Sequence, residues 1–392
     1  MANADQITSA SSRIPAAAYA LCLCVGLIGA NSLALGPIAP RVAASFGCDV
    51  PAVMSASAAF GIGTAASALL LAGLIDRFGP GRVLRAALLL LIAALAASAA
   101  APALPAFIAA QLLAGLAAGL ALPSIYTLAA LAAPAGRESD TLGVVLFGWT
   151  LSMVAGVSLS AVIADMFGWR MVYGVVVVAG LAAAAGSTTL TASGATPTGR
   201  AQSPLSALRV PGIALLLCAC AAFMAAFYGV YAYVGDHLHR ALGLPVSAGG
   251  LLALCYGLGF GATAFLDRWI DRFGPARLLP AFFMAVCGIY LLMAAAAGSY
   301  VALLAVAFGW GMANHAALNV LIVRLAALDP GRRGAIMGLN SGVTYLALFA
   351  GTTGFGPVYA RSGFAALAIL AAALTLAAIL AAALAPRGRV TS

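Results

Sequence analysis

The chain has 392 residues, of which 64% are hydrophobic and only 7% charged, and its formal net charge is +9. A soluble domain carries about 25% charged residues, so the water-facing surface of a soluble enzyme, a nucleic-acid-binding module or a disordered scaffold is missing. A helix crosses a bilayer with about 20 apolar residues, and the composition reads as an all-α polytopic membrane protein.

Apolar runs separated by short polar breaks predict twelve transmembrane helices, at about 15–44, 52–75, 82–101, 104–133, 141–165, 168–190, 211–235, 245–269, 276–297, 300–328, 335–358 and 362–385. The first run, from Ile14 to Pro40, exceeds the roughly 7–15 residues of a secretory signal core and reads as a retained helix. The breaks at Ala101–Leu104 and Gly298–Tyr300 are short enough to demand tight hairpins. The longest polar stretch, Thr191 to Leu208, is rich in Gly, Ser, Thr and Pro, and reads as a flexible linker. It divides the chain into an N-terminal six-helix bundle (1–190), a cytoplasmic linker (191–210) and a C-terminal six-helix bundle (211–392).

All 19 basic residues are arginine. Without lysine there is no Gly-Lys-Ser/Thr phosphate loop for ATP hydrolysis and no Schiff-base chemistry. Uphill work therefore has to draw on a solute gradient or a partner. With both termini cytoplasmic, 15 arginines fall on that side and 4 (Arg41, Arg170, Arg240 and Arg361) on the outer side. The positive-inside bias favours this orientation, in a bacterial-type inner (plasma) membrane. It also accounts for the net charge without nucleic acid. The paired cysteines Cys22/Cys24 and Cys218/Cys220 point to nearly opposite helix sides, so neither pair clips a metal and no disulfide is required.

The halves read as internal copies in the same orientation. Asp76-Arg77-Phe78-Gly79-Pro80-Gly81-Arg82 recurs 195 residues later as Asp271-Arg272-Phe273-Gly274-Pro275-Ala276-Arg277. Gly136-Arg137 maps onto Gly331-Arg332 and Gly168 onto Gly363, while Gly61 and Gly63 map onto Gly257 and Gly259 one residue further on. The stretch from Gly73 to Arg82 resembles the signature loop of the major facilitator superfamily, and its copy after the eighth span repeats it. Gly168-Trp169-Arg170 at the end of the fifth span, Tyr233 to Leu238, and Tyr256-Gly-Leu-Gly259 resemble the drug/sugar efflux (arabinose-efflux-like) branch. The resemblance implies the major facilitator fold, two six-helix halves around a cavity lined by spans 1, 4, 7 and 10. It also implies that the loop latches the cytoplasmic side while the outer side is open. Asp76, Arg77 and Arg82 would act in that latch, with Asp271, Arg272 and Arg277 as the second copy and Arg137, Arg332 and Arg333 as partners.

Polar groups in hydrocarbon are costly and mark functional candidates. Span 1 offers Asn31, span 4 Gln111 and Tyr126, span 7 Phe227, Tyr228 and Tyr231, span 10 Asn314, His315 and Asn319, and span 11 Asn340 and Tyr345. The alternative reading of the same residues is interhelical hydrogen bonding. His315 and Asn319 share a face, as do Phe227 and Tyr231. No carboxylate lies near the middle of any span, which favours a neutral or lipophilic solute. His315 is then the midplane group able to titrate near neutral pH, and is expected to carry the proton if transport is proton-coupled. Asp236, His237 and His239 follow the seventh span and are expected in a solvated loop, since no fourth metal ligand is visible.

The leading reading is a secondary active transporter that exports a small organic solute by alternating access, coupled to protons. Uptake or exchange of a small organic metabolite is the alternative, and a non-transporting membrane sensor or scaffold the second. An intramembrane hydrolase is disfavoured, because no Gly-x-Ser-x-Gly element occurs and the one glutamate, Glu138, lies in a cytoplasmic loop. No cofactor or metal is expected. The expected partners are the solute, protons and the lipid bilayer, with the chain as a monomer.

Overall fold

The computed structural model describes residues 14–134, 137–187, 203–263 and 275–386. Asp271 and Arg272, and residues 191–202 of the expected linker, lie outside them. The described chain is helical throughout: α1 (Ala16–Phe46), α2 (Val50–Leu70), α3 (Pro80–Ala100), α4 (Leu104–Ala132), α5 (138–167), α6 (Trp169–Ser187), α7 (Ile213–Arg240), α8 (Ser247–Thr263), α9 (Pro275–Ala295), α10 (Tyr300–Ala326), α11 (333–362) and α12 (364–384). Nine described helical stretches are long and apolar enough to cross a bilayer, the last of them holding both α11 and α12; α6 and α8 are apolar but shorter. Each of the twelve expected spans thus has its helix.

Helix limits follow local chemistry. Asp49 accepts a hydrogen bond from the Ala52 amide (2.8 Å) and caps α2, while Ser299 does the same for Ala302 (3.4 Å) at α10. Between them the chain is dominated by Ala and Leu, good helix formers that lose little side-chain entropy. Gly168 (φ 86°) breaks α5 from α6, and Gly363 (φ 73°) breaks an otherwise continuous run into α11 and α12. An L side chain would be strained at both sites, so the turn chemistry is duplicated along with the sequence. Inside α5, residues Ser152–Val157 widen into a π-turn, and the Ser158 hydroxyl donates back to the Met153 carbonyl (3.1 Å). The end of the expected linker is ordered: Pro204–Arg209 form a 3-10 turn, and Pro204 packs against Gly338 of α11.

The two halves repeat their contacts residue for residue. A Cβ at Gly63 (α2) would strike the Leu112 carbonyl of α4, as one at Gly259 (α8) would strike the Phe308 carbonyl of α10. Gly115 meets the Phe60 carbonyl, and Gly311 meets that of Tyr256. Ser67 donates to the Leu116 carbonyl (2.7 Å), and Thr263 to the Met312 carbonyl (3.4 Å). All these pairs are 196 residues apart. Small residues let the backbones approach closely, the usual means of helix association in lipid.

Two cross-half seams obey the same symmetry. Gly61 of α2 abuts Tyr345 and Leu348 of α11, and Gly257 of α8 abuts Met153 and Val154 of α5. The even number of spans places the first and last helices' free ends at one end of the bundle, here the terminal end. The α1–α2, α5–α6, α7–α8 and α11–α12 connections lie at the distal end. There the seams are tight: Pro51 backs Gly356, Ser158 and Ala161 back Gly250, and Pro37 backs Gly235 and Gly249. Tyr19 and Leu23 continue the Pro37 face of α1 toward the terminal end, and both are 55% exposed. The bundle is closed distally.

Candidate functional site

Two of the candidate polar residues of the N-terminal half, Asn31 and Gln111, are spent on each other. Asn31 of α1 donates to Gln111 Oε1 of α4 (3.3 Å), and Gln111 donates to the Ser98 hydroxyl of α3 (3.0 Å). Asn31 and Gln111 are buried, so this network joins three helices within one half. One turn-set further along α4, Tyr126 remains half-buried and accepts a hydrogen bond from Trp149 Nε1 of α5 (3.2 Å).

In the C-terminal half, Phe227 and Tyr231 of α7 pack together as their spacing predicts, with tilted rings whose centroids are 5.6 Å apart. Both are buried in an aromatic cluster that the sequence reading did not assemble. Trp310 of α10 sits 5.3 Å from Phe227 and 4.8 Å from Tyr256 of α8, and it is fully buried. Asn314 turns into this cluster and donates to the Tyr256 hydroxyl (3.2 Å). A helical offset of four from Trp310 to Asn314 was the signal available. One helical step away, His315 and Asn319 stay half-buried, and His315 meets the Phe260 ring of α8 edge-on at 4.7 Å.

The halves meet through phenols. Tyr345 of α11 lies within electrostatic reach of both Tyr228 of α7 and Tyr126 of α4, and its ring centroid is 6.2 Å from that of Phe60 of α2. Tyr228 is half-buried and stacks edge-on against Phe227 at 5.0 Å. Asn340 is buried near the start of α11, its Oδ1 without a hydrogen-bond partner among the described residues. The expected path residues therefore divide. Tyr126, Tyr228, His315 and Asn319 keep exposed surface, with Tyr345 beside two of them. Asn31, Gln111 and Asn314 are structural pairs within a half.

Asp76 is exposed in a short helix, Gly73–Phe78, with no hydrogen bond or ion pair among the described residues. Arg77 lies over the neighbouring Phe78 ring (5.1 Å). Arg137 pairs with Asp140 (2.9 Å) and Arg332 with Asp329 (3.6 Å), each within its own half. Arg82, Arg277 and Arg333 are exposed.

The segment expected as a solvated loop after the seventh span is instead helix. α7 continues to Arg240 because no breaker intervenes before Gly243. Asp236 is 1% exposed; it accepts a hydrogen bond from the Tyr359 hydroxyl of α11 (2.7 Å) and pairs with Arg240 (3.3 Å). His237 stacks on Phe364 (4.6 Å) with Nε2 against the Ala297 carbonyl (2.7 Å). A buried carboxylate survives only with such partners. Across the distal seam, Asp165 of α5 binds Arg41 of α1 through Oδ1 (3.1 Å) and accepts from the Ser247 backbone amide of α8 through Oδ2 (2.6 Å).

The family model for the Major Facilitator Superfamily matches residues 21–352. The chain is 29% identical to a chloramphenicol resistance protein of Streptomyces lividans over 384 residues, covering 92% of this chain and 96% of that protein. It is 26% identical to the uncharacterized MFS-type transporter YwfA of Bacillus subtilis (strain 168), covering 92% and 89%. The fold matches the crystal structure of the human organic anion transporter MFSD10 (TETRAN) with a TM-score of 0.70 at 17% identity, covering 93% of this chain and 98% of that one.

Proposed function

We propose, from the fact that the chain belongs to the major facilitator superfamily and from the polar surface at its centre, that it exports a small neutral or lipophilic organic solute across the inner membrane by alternating access, coupled to protons. The family is one of transporters rather than enzymes. The observation that carries the reading is the set of half-exposed groups drawn from both halves: Tyr126, Tyr228, His315 and Asn319, with Tyr345 between the two. Phenols, an amide and an imidazole orient a solute by hydrogen bonds, and the neighbouring rings supply apolar contact, the usual division of labour in a small-molecule site. None of these groups carries a permanent charge, which suits a solute without one.

The terminal end is cytoplasmic in this reading, because the arginine bias places it there. The conformation is then closed outside. The exposed Asp76 and its arginines are in the disengaged half of their cycle and latch the cytoplasmic side when the outer side opens. His315, the imidazole among these central groups, carries the coupling proton. Efflux is favoured over uptake by the Streptomyces relative, whose name records resistance to chloramphenicol.

Flux of chloramphenicol, and of a panel of neutral aromatic solutes, into proteoliposomes with and without an imposed pH gradient tests this. Gradient-driven flux that His315→Gln reduces to gradient-independent exchange is expected. Full gradient dependence in His315→Gln removes the proton role, and absence of flux for every solute returns the chain to a sensor or scaffold.

A further inference from the structure

The N-termini of α2 and α8 are symmetry mates, yet they are capped differently. At α2 the cap is local: Asp49 accepts from Ala52, and Pro51 at the start of the helix has no amide to satisfy. At α8 the residue before Ser247 is Val246, whose side chain has no acceptor. The first amide of α8 is satisfied from the other half of the molecule, by Asp165 Oδ2 at 2.6 Å. Helix N-termini leave such amides unpaired and carry partial positive charge, so a carboxylate is a favourable cap there.

Asp165 is itself held in place. Its other oxygen takes two hydrogen bonds from the Arg41 guanidinium, at 3.1 and 3.3 Å, so that one carboxylate joins α1, α5 and α8. Just below it the seam is built of small residues. A Cβ at Gly250 would lie 2.6 Å from the Ser158 carbonyl, and Pro37 fills the gap between Gly235 and Gly249. The distal ends of α5 and α8 cannot part without removing the acceptor from the α8 amide.

We propose that Asp165 is the distal latch of this transporter: a carboxylate of one half that caps a helix of the other and holds the outer side shut. The proposal rests on the alternating-access reading above. Arg41 is a positioning residue that aims the carboxylate. The latch has no symmetry mate at α2, since Pro51 occupies the position equivalent to Ser247 and Asp49 supplies the cap within its own half. Opening of the outer side is therefore controlled at the α5–α8 seam.

The test needs no transported solute, so its failure is distinguishable from failure of the transport reading. Ala253 of α8 is 3% exposed and lines the distal seam beside Pro37 and Tyr231. Ala253→Cys, in a chain whose seven native cysteines are replaced by serine, is labelled with a membrane-impermeant maleimide in right-side-out and inside-out vesicles. Asp165→Ala is expected to raise labelling from the outer face about fivefold to tenfold, the scale of losing one good helix cap. Asp165→Asn, which keeps volume and an oxygen, is expected to fall between, and it carries the test if Asp165→Ala does not fold. Adding Val246→Thr to Asp165→Ala gives α8 its own cap. Fast labelling that persists in the double variant supports a latch. Labelling that returns to the parent rate means that Asp165 only stabilises the helix, and unchanged labelling in both Asp165 variants also overturns the proposal.

Discussion

The side-chain amides of Asn31 and Gln111 meet at 3.3 Å between α1 and α4, buried from solvent, and Gln111 reaches on to Ser98 of α3. Truncating either amide strands the other in an apolar interior, at a cost of about 1–3 kcal/mol. Asn31→Ala and Gln111→Ala are each expected to lower the melting temperature of the purified protein, and the double variant to lose less than their sum. Solute affinity, measured by thermal shift on the surviving fold, is expected to change little. Additive losses would show that the two amides do not act as a pair.

The span pattern, the arginine bias and the duplicated glycines were all legible because they are local or periodic. Gly168 and Gly363 could be matched by offset, and both have the left-handed backbone that makes the match meaningful. Which polar residues pair was not legible. Asn31 and Gln111 are 80 residues apart, and Asp165 and Ser247 are 82 apart, so nothing in spacing links them. Periodicity gives the face of a helix but not what covers it. For the same reason Asp236 looked like a loop residue: a charge after an apolar run ends a span on hydropathy alone, whereas Tyr359 and Arg240 make its burial tolerable. Trp310 escaped notice, and Tyr256 stood out only within a family-like motif, because aromatic residues in apolar helices carry no distinguishing pattern until four helices converge on them.

Close packing across the repeat gives a sharp contrast among glycines. A methyl group on Gly115 would collide with the Phe60 carbonyl, and one on Gly311 with the Tyr256 carbonyl, both backbone atoms that cannot rotate away. Gly115→Ala and Gly311→Ala are expected to destabilise by about 1–3 kcal/mol or more, as overpacked cores do. Gly288, in α9, has open space where its Cβ would go. Gly288→Ala is expected to be neutral or to stabilise by up to about 1 kcal/mol, through helix propensity alone. Melting temperatures of the three variants in one detergent decide the matter, and equal losses would contradict the packing account.

Arg324 near the end of α10 is buried, and its guanidinium donates to the Ala382, Ala385 and Pro386 carbonyls at the end of α12 (2.9, 3.3 and 3.3 Å). Those carbonyls have no partner within their own helix, and a fixed cation complements the negative end of the helix dipole. Arg324→Leu removes the donors while leaving the acceptors buried, and is expected to cost about 2–4 kcal/mol. Arg324→Lys retains the charge but not the planar fork, and should recover only part of the loss. Limited proteolysis at the C-terminal end of the chain provides the check, with Arg324→Leu expected to be cut fastest.

Cys48 lies in the α1–α2 connection beside Asp49, and burial, with a smaller contribution from the Asp49 carboxylate, raises its thiol above the ordinary value. The thiolate is the reacting form, so a raised thiol reacts slowly at neutral pH and its rate climbs until the pH passes the raised value. Asp49→Asn removes the negative charge, favours the thiolate and should speed maleimide labelling at fixed pH. The gain should be modest, because burial remains, and asparagine still caps α2. A slower reaction in Asp49→Asn would reverse the assigned sign.

Tyr228 and Trp310 are neighbours of the same ring, Phe227, but they should fail in different ways. Trp310 is fully buried and contacts Phe227, Tyr256 and Tyr290 at 5.3, 4.8 and 6.0 Å. Trp310→Ala empties the centre of the C-terminal half and is expected to cost about 3–5 kcal/mol of stability, so its transport defect should track lost folded protein. Tyr228 is half-buried and lies within electrostatic reach of Tyr345 on α11. Tyr228→Phe keeps the ring contact and removes only the hydroxyl. If that hydroxyl binds solute, KM for the transported compound should rise about fivefold to tenfold, the scale of one hydrogen bond, with the melting temperature nearly unchanged. A KM that stays constant while stability falls would make Tyr228 a packing residue like Trp310, and would move the solute site toward His315 and Asn319.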